Sequence, residues 1–158
     1  MKISKALSEK KAAQNALSRL IVMRNRNLYY DKSKGPDLDF NDIETQIQEK
    51  ITTVDELKLR ILYTNCHTIL PNGMLLQEAI IKLGNLRSEL KCYNDLLEKD
   101  AEDRLVYYGG KAQIKEYASQ VDKKYLLNKI EELEAKKYEL DSLIAKANNT
   151  DDLMEIPQ

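Results

Sequence analysis

The chain has a single histidine, His67, and it directly follows Cys66. A cysteine and a histidine could form a nucleophile and base, provided their side chains face each other in space. Neighbours in an extended segment point to opposite faces, so this pair is poorly arranged, and a structural role at the start of a hairpin competes with catalysis. A lone histidine also removes the di-iron bundle pattern, which needs Glu-x-x-His from two helices. The usual Cys/His zinc spacings are equally missing. Three further groups could do chemistry. Tyr107-Tyr108-Gly109-Gly110 could stack on or hydrogen-bond a ligand, but the glycines lack the strand-loop-helix context of a phosphate loop, and a hairpin turn with edge tyrosines competes. Arg60, Asn65, Glu78, Arg87 and Glu89 lie near helix faces and could converge on a small molecule, or serve as flanks and interhelical ion pairs. Lys129, Glu132, Lys136 and Glu139 have the spacing of an exposed salt-bridged helix face. No catalytic, cofactor-binding or metal-ligating residue is assigned.

Four helical segments position these groups. The first runs over about 4–30, with Ile3, Leu7, Gln14, Leu17, Ile21 and Leu28 on one stripe and Ala13, Leu20 and Met23 beside it. Ser4 is its expected cap, and Lys34-Gly35-Pro36 its expected stop. The second covers about 40–65, starting near Asp39 or Asn41, with Phe40, Ile43, Ile47, Val54, Leu57 and Ile61 in heptad register and Lys50 as a polar interruption. The third covers about 75–99 through Ala79, Leu83, Leu86, Leu90, Tyr93 and Leu97. The fourth covers about 123–147 behind an Asp122 cap, through Leu126, Ile130, Leu133, Leu140 and Ile144, with Lys137 in register. Such spacing predicts a single mainly α domain of four long antiparallel helices, packed in bundle or coiled-coil style. Two connections are more than turns. Residues 66–75 contain Asn72-Gly73, a pair suited to a tight hairpin in which both residues take positive φ. Residues 101–121 suggest a second hairpin, with Val106-Tyr107-Tyr108 and 114–118 flanking Gly109-Gly110. The acidic tail 151–158 is expected to fray.

Composition narrows the function classes. The chain has 158 residues, 25 basic and 26 acidic, so it lacks the basic excess of a general nucleic-acid binder. Charge is nevertheless segregated: residues 1–34 hold nine basic and two acidic side chains, and residues 35–57 hold one basic and seven acidic. Lys10, Lys11, Arg19, Arg24 and Arg26 could bind RNA or an anionic membrane. The near-cancellation favours mutual neutralisation of adjacent helices, and the same charges could guide pairing between subunits. The longest aliphatic run, Leu20–Met23, is far short of the roughly 20 residues of a membrane span. The charged start lacks a signal core, which predicts a cytoplasmic protein, and Cys66 and Cys92 are expected to be free thiols.

Several stretches look familiar in combination. They are Met1–Leu7; Ile61–Ile80 with Thr64-Asn65, Asn72-Gly73 and Glu78-Ala79-Ile80; Leu83–Leu90 with Leu86-Arg87; Val121-Asp122; and Ala147–Leu153. In this order they resemble a bacterial family of small helical proteins of unknown function, some members of which carry the label septicolysin. The likeness is weak over 33–57. This chain has Leu75 where the family usually has Thr, and Asn149 where it usually has Trp. The resemblance implies helices with hairpin excursions and self-association, and it supplies no catalytic residues. The label implies a cytolysin, which the lack of an export signal or a long amphipathic β segment does not favour. The expected role is a non-enzymatic, self-associating interaction or scaffold protein, with homo-oligomer formation or a protein partner. The alternatives are an all-α enzyme or small-ligand-binding protein, and RNA or anionic-membrane binding through the first helix.

Overall fold

A computed structural model describes residues 1–99, 104–108 and 111–157. It contains α1 (Ile3–Arg26), α2 (Phe40–His67), α3 (Leu76–Leu97), β1 (Arg104–Tyr108), β2 (Lys111–Lys115) and α4 (Lys123–Thr150). The mainly α class and the four long helices are those the helical repeat predicts. Two compact units are formed, Met1–Glu78 with Ile144–Gln158, and Ala79–Leu143.

In the first unit α1 and α2 pack antiparallel. Ala6 meets Leu57 and Ile61 near one end, and Arg24 meets Glu44 near the other. The buried face of α2 is the expected heptad row, Ile43, Ile47, Val54, Leu57 and Ile61, extended by Thr64. On α1 the buried row is Ile3, Ala6 and Ala13, so the seam is narrower than the predicted leucine stripe. Leu28 and Met23 fall outside it, 53% and 40% exposed. Alanines at the seam let two helix backbones approach closely, which moves longer neighbours to its flanks.

Helix ends show where local chemistry prevails. The Asp39 carboxylate caps α2 as expected, because a side-chain oxygen at this position reaches the free amides of the first turn. It accepts from the amide of Asn41 at 2.7 Å and from that of Asp42 at 3.1 Å. Ser4 does not cap α1. It lies inside the helix, and the otherwise unpaired first amide, that of Ile3, donates to the Asp151 carbonyl at 3.1 Å. The same helix stops at Arg26, before Lys34-Gly35-Pro36, because Asn27 turns its side-chain amide back onto the Met23 carbonyl at 2.9 Å. α2 runs on to His67.

The expected hairpin at 66–75 is reduced to one bridge, Ile69 to Leu75, and its turn is of a different kind. Gly73 donates to Leu70 and takes φ +81°, while Asn72 keeps a negative φ. Pro71 explains this. A proline ring locks its own φ in the negative range, which selects a type I turn followed by a left-handed glycine over a turn with two positive angles.

The tail is not frayed at its start. Lys2 bridges Asp152, Leu153 donates to the Met1 carbonyl at 2.7 Å, and the Leu153 side chain is buried against Ala6, Leu57 and Ile61. Leu153 supplies the apolar anchor that the acidic composition of the tail concealed.

In the second unit α3 and α4 run antiparallel, with Arg87 donating to Asp141 at 2.8 Å and Lys129 near Tyr93. Their buried rows are Ala79, Leu83 and Leu90, and Leu126 and Leu133. Asp122 caps α4, accepting from the Lys124 amide at 3.0 Å. The second hairpin is present, paired from Arg104 with Lys115 to Tyr108 with Lys111. Its second strand begins at Lys111, earlier than the expected 114–118. Gly109-Gly110, the expected turn, lies outside the described residues, and so does any ligand role for it.

Candidate functional site

Among the described residues, two surface recesses stand out in the first unit. One lies at the α1–α2 tip, about 370 Å³, lined by Asn27, Leu28, Tyr30, Pro36, Leu38 and Phe40 together with Asp39 and Asn41. The loop that carries it is built by its own polar groups. Asp31 accepts from the Ser33 amide at 2.9 Å and hydroxyl at 2.7 Å, and its carbonyl accepts from Lys34 and Gly35. These bonds to Ser33 hold the Asp31 carboxyl below the usual carboxylate range. Gly35 takes φ +77°. Only glycine adopts such an angle cheaply. The result is a firm apolar tip, with Leu28 53%, Tyr29 88%, Tyr30 57% and Phe40 46% exposed, and Leu38 exposed beside them. So many large apolar side chains this close together exceed the scattered exposure ordinary on a monomer surface. The periodicity places Leu28 and Phe40 in the core stripes; the tyrosine pair beside the helix stop is the available signal for the tip.

The other recess, about 330 Å³, is lined by Glu56, Leu59, Arg60, Glu155 and Ile156. Arg60 is already engaged there, donating to the Met154 carbonyl at 3.4 Å and pairing with Glu155. Beside it Thr64 is fully buried; its hydroxyl donates to the Arg60 carbonyl at 2.7 Å and accepts from the Met154 amide at 2.9 Å. Asn65 and Thr68 are also buried. Asn65 Oδ1 and Thr68 Oγ1 have no hydrogen-bond partner among the described residues, an arrangement that costs stability.

The other candidates divide between the two units. Arg87 pairs with Asp141. Glu78 lies in the first unit, Arg87 and Glu89 in the second. Arg60 and Arg87 thus serve separate ion pairs, each with its own carboxylate. Cys66 and His67 sit in the last turn of α2, not in an extended strand. Helical neighbours still point about 100° apart. His67 Nδ1 lies 2.7 Å from the Tyr63 carbonyl. A carbonyl only accepts, so Nδ1 carries the proton and donates. The His67 ring also rests on Tyr63, centroids 4.1 Å apart. Both cysteines are free and exposed. Lys129, Glu132 and Lys136 form the expected surface cluster, which holds the Glu132 carboxyl below its ordinary range through bonds from Lys136 and Lys129.

Of the basic candidates, Arg24 donates to Glu44 at 2.8 Å and, with Gln48, holds that carboxyl below the usual range. It is the one ion pair between the two charge blocks among the described residues. Lys10, Lys11, Arg19 and Arg26 on α1, and Asp42 and Glu49 on α2, are unpaired there. Pairwise neutralisation within the chain therefore does not account for the segregated charge. Among the described residues no helix is long and apolar enough to cross a membrane.

The sequence matches a family of unknown function, DUF6847, over residues 10–153. The chain belongs to the DUF6847 family. Its fold is also similar to that of a functionally unknown conserved protein from Corynebacterium diphtheriae, with a TM-score of 0.82 and 21% identity. That likeness covers 98% of this chain and 99% of the other. No curated protein matches. Membership of a family of unknown function and the likeness to a bacterial protein of unknown function agree with that part of the resemblance, and neither assigns a biochemical role.

Proposed function

We propose that this DUF6847 chain is a non-enzymatic helical interaction protein that associates with itself through its first unit. The observation that carries this reading is the apolar tip of α1 and α2, where Leu28, Tyr30, Leu38 and Phe40 stand exposed around a recess and Tyr29 is exposed next to them in sequence. Covering them removes apolar area from water, the main driving force of association. Sedimentation velocity across a concentration series tests the reading. The expected result is a shift from monomer to a larger species, abolished by Tyr29→Ser with Phe40→Ser; a concentration-independent monomer refutes it.

The free, exposed thiols Cys66 and Cys92 fit a reducing cytoplasm. A second reading, small-ligand binding, is favoured by the tip recess, whose apolar wall carries Asn27 and Asn41 as polar groups. Its test is a fragment screen followed by NMR, with shifts confined to residues 27–41 as the supporting result. The septicolysin-like reading adds lysis; dye release from liposomes tests it, and no release is expected.

A further inference from the structure

The unpaired charges of the first unit have a regular geometry. Arg19 and Arg26 both lie on α1, one heptad apart, so they share one face. At the rise of an α-helix that is roughly 10.5 Å along the axis. Asp42 and Glu49 have the same spacing on α2. All four are exposed. Between the two arginines, Val22 and Met23 are 46% and 40% exposed.

The observed contacts set how these rows align. Arg24 bonds to Glu44, and Ala6 packs with Leu57 and Ile61. The helices are antiparallel, so each step back along α1 matches a step onward along α2. Arg26 then lies level with Asp42, and Arg19 level with Glu49. Within one chain these residues do not meet. A second copy related by a twofold axis parallel to the helices keeps every level unchanged. It sets α1 of one copy against α2 of the other, antiparallel, with both tips at the same end. Arg26 then stands level with Asp42 of the second copy, Arg19 level with Glu49 of the second copy, and the symmetry repeats both pairs.

We infer that the partner of this surface is a second copy of the chain, docked through this twofold pairing of α1 with α2. The inference rests on the self-association reading and names its interface. Surface ion pairs add little affinity singly, but complementary rows fix register and exclude wrong partners. The apolar term comes from Val22, Met23 and the neighbouring tips, which the same axis brings side by side. An RNA or an anionic membrane would use only the arginine row and leave the matched acidic row without a role.

The test is a charge swap on the full chain. Arg19→Glu with Arg26→Glu makes one variant, and Asp42→Lys with Glu49→Lys the other. Each alone places like charges on both halves of the interface and is expected to weaken dimerisation by about tenfold or more. Mixed in equal amounts they are expected to form a heterodimer, seen by sedimentation and by native mass spectrometry, because each interface then holds opposite charges. Circular dichroism confirms that each variant is folded, and recovery on mixing excludes misfolding independently. Wild-type self-association with variants that dimerise normally, or that fail to recover on mixing, overturns this interface and leaves the self-association reading standing. A wild-type monomer at all concentrations overturns both. Salt-sensitive binding of wild type to poly(U) RNA or to phosphatidylserine vesicles, lost in the arginine variant while its oligomer size is unchanged, overturns the pairing and gives the row to a polyanion.

Discussion

Leu153→Ala measures how firmly the tail belongs to the first unit. Leu153 is 6% exposed and packs on Ala6, Leu57 and Ile61. The substitution removes three buried carbons, which at about 0.8 kcal/mol each gives roughly 2.4 kcal/mol before any cavity term. Buried Leu→Ala changes span about 2–5 kcal/mol, and a residue held on a terminal segment can settle inward, so about 2–3 kcal/mol is expected. With a urea slope of about 2.5 kcal/mol/M for a protein of this size, the unfolding midpoint should fall by about 1 M. Urea titration followed by circular dichroism reads this directly. Met154→Ala is the control, since Met154 is 37% exposed and engages Thr64 through its backbone. It should cost less than about 1 kcal/mol. A Leu153→Ala loss below about 0.5 kcal/mol would mean that the tail frays as its composition suggests and does not dock.

Other substitutions separate roles that look alike in the sequence. Thr64 accepts from the Met154 amide, whereas the buried Thr68 hydroxyl has no partner among the described residues. Thr64→Val should therefore cost about 1–3 kcal/mol, and Thr68→Val should be neutral or stabilising by up to about 1 kcal/mol. Thermal or urea unfolding of the pair checks the contrast. Gly73 holds φ +81°. A side chain is strained in that left-handed region, so Gly73→Ala should lower unfolding stability by about 1–2 kcal/mol. Gly84 lies inside α3 with open space where a Cβ would go. Gly84→Ala should therefore stabilise by about 0.5–1 kcal/mol in the same assay. Asp152 gives a pH signature. Its hydrogen bond from Lys2 holds its carboxyl below the ordinary 3.8, so the interaction is fully present above pH 3.8 and is lost as pH falls through the lowered value. Carbon-13 titration should find Asp152 below 3.8 in the wild type and nearer it in Lys2→Met.

Much of the scaffold was legible because its signals are local or periodic. Apolar residues at three- and four-residue steps bury one helix face wherever a partner helix exists, which placed α2, α3 and α4 and most of their buried rows. Asp39 and Asp122 were readable as caps because a carboxylate reaches amides only two or three residues away. Where two local signals competed, the fold decided the outcome. Pro71 selected the turn that Asn72-Gly73 alone would have assigned differently, and Asn27 closed α1 before the glycine and proline could.

The candidate sites were less legible, since each depends on residues far apart in the chain. Ser4 is a capable cap by type, yet the Asp151 carbonyl reaches the first amide of α1 from the far end of the sequence. Leu153 is one apolar residue in an acidic tail, and only the meeting of both ends with α2 gives it a pocket. Charge segregation between α1 and α2 was countable from residue types, but which charges pair depends on helix register and on the face each side chain occupies. One contact, Arg24 with Glu44, supplied that register. Residue type and spacing therefore settle the helices and their apolar faces, because those follow from interactions along a single segment. The docked tail, the apolar tip and the alignment of the charged rows were decided by tertiary structure, because each requires distant segments to come together.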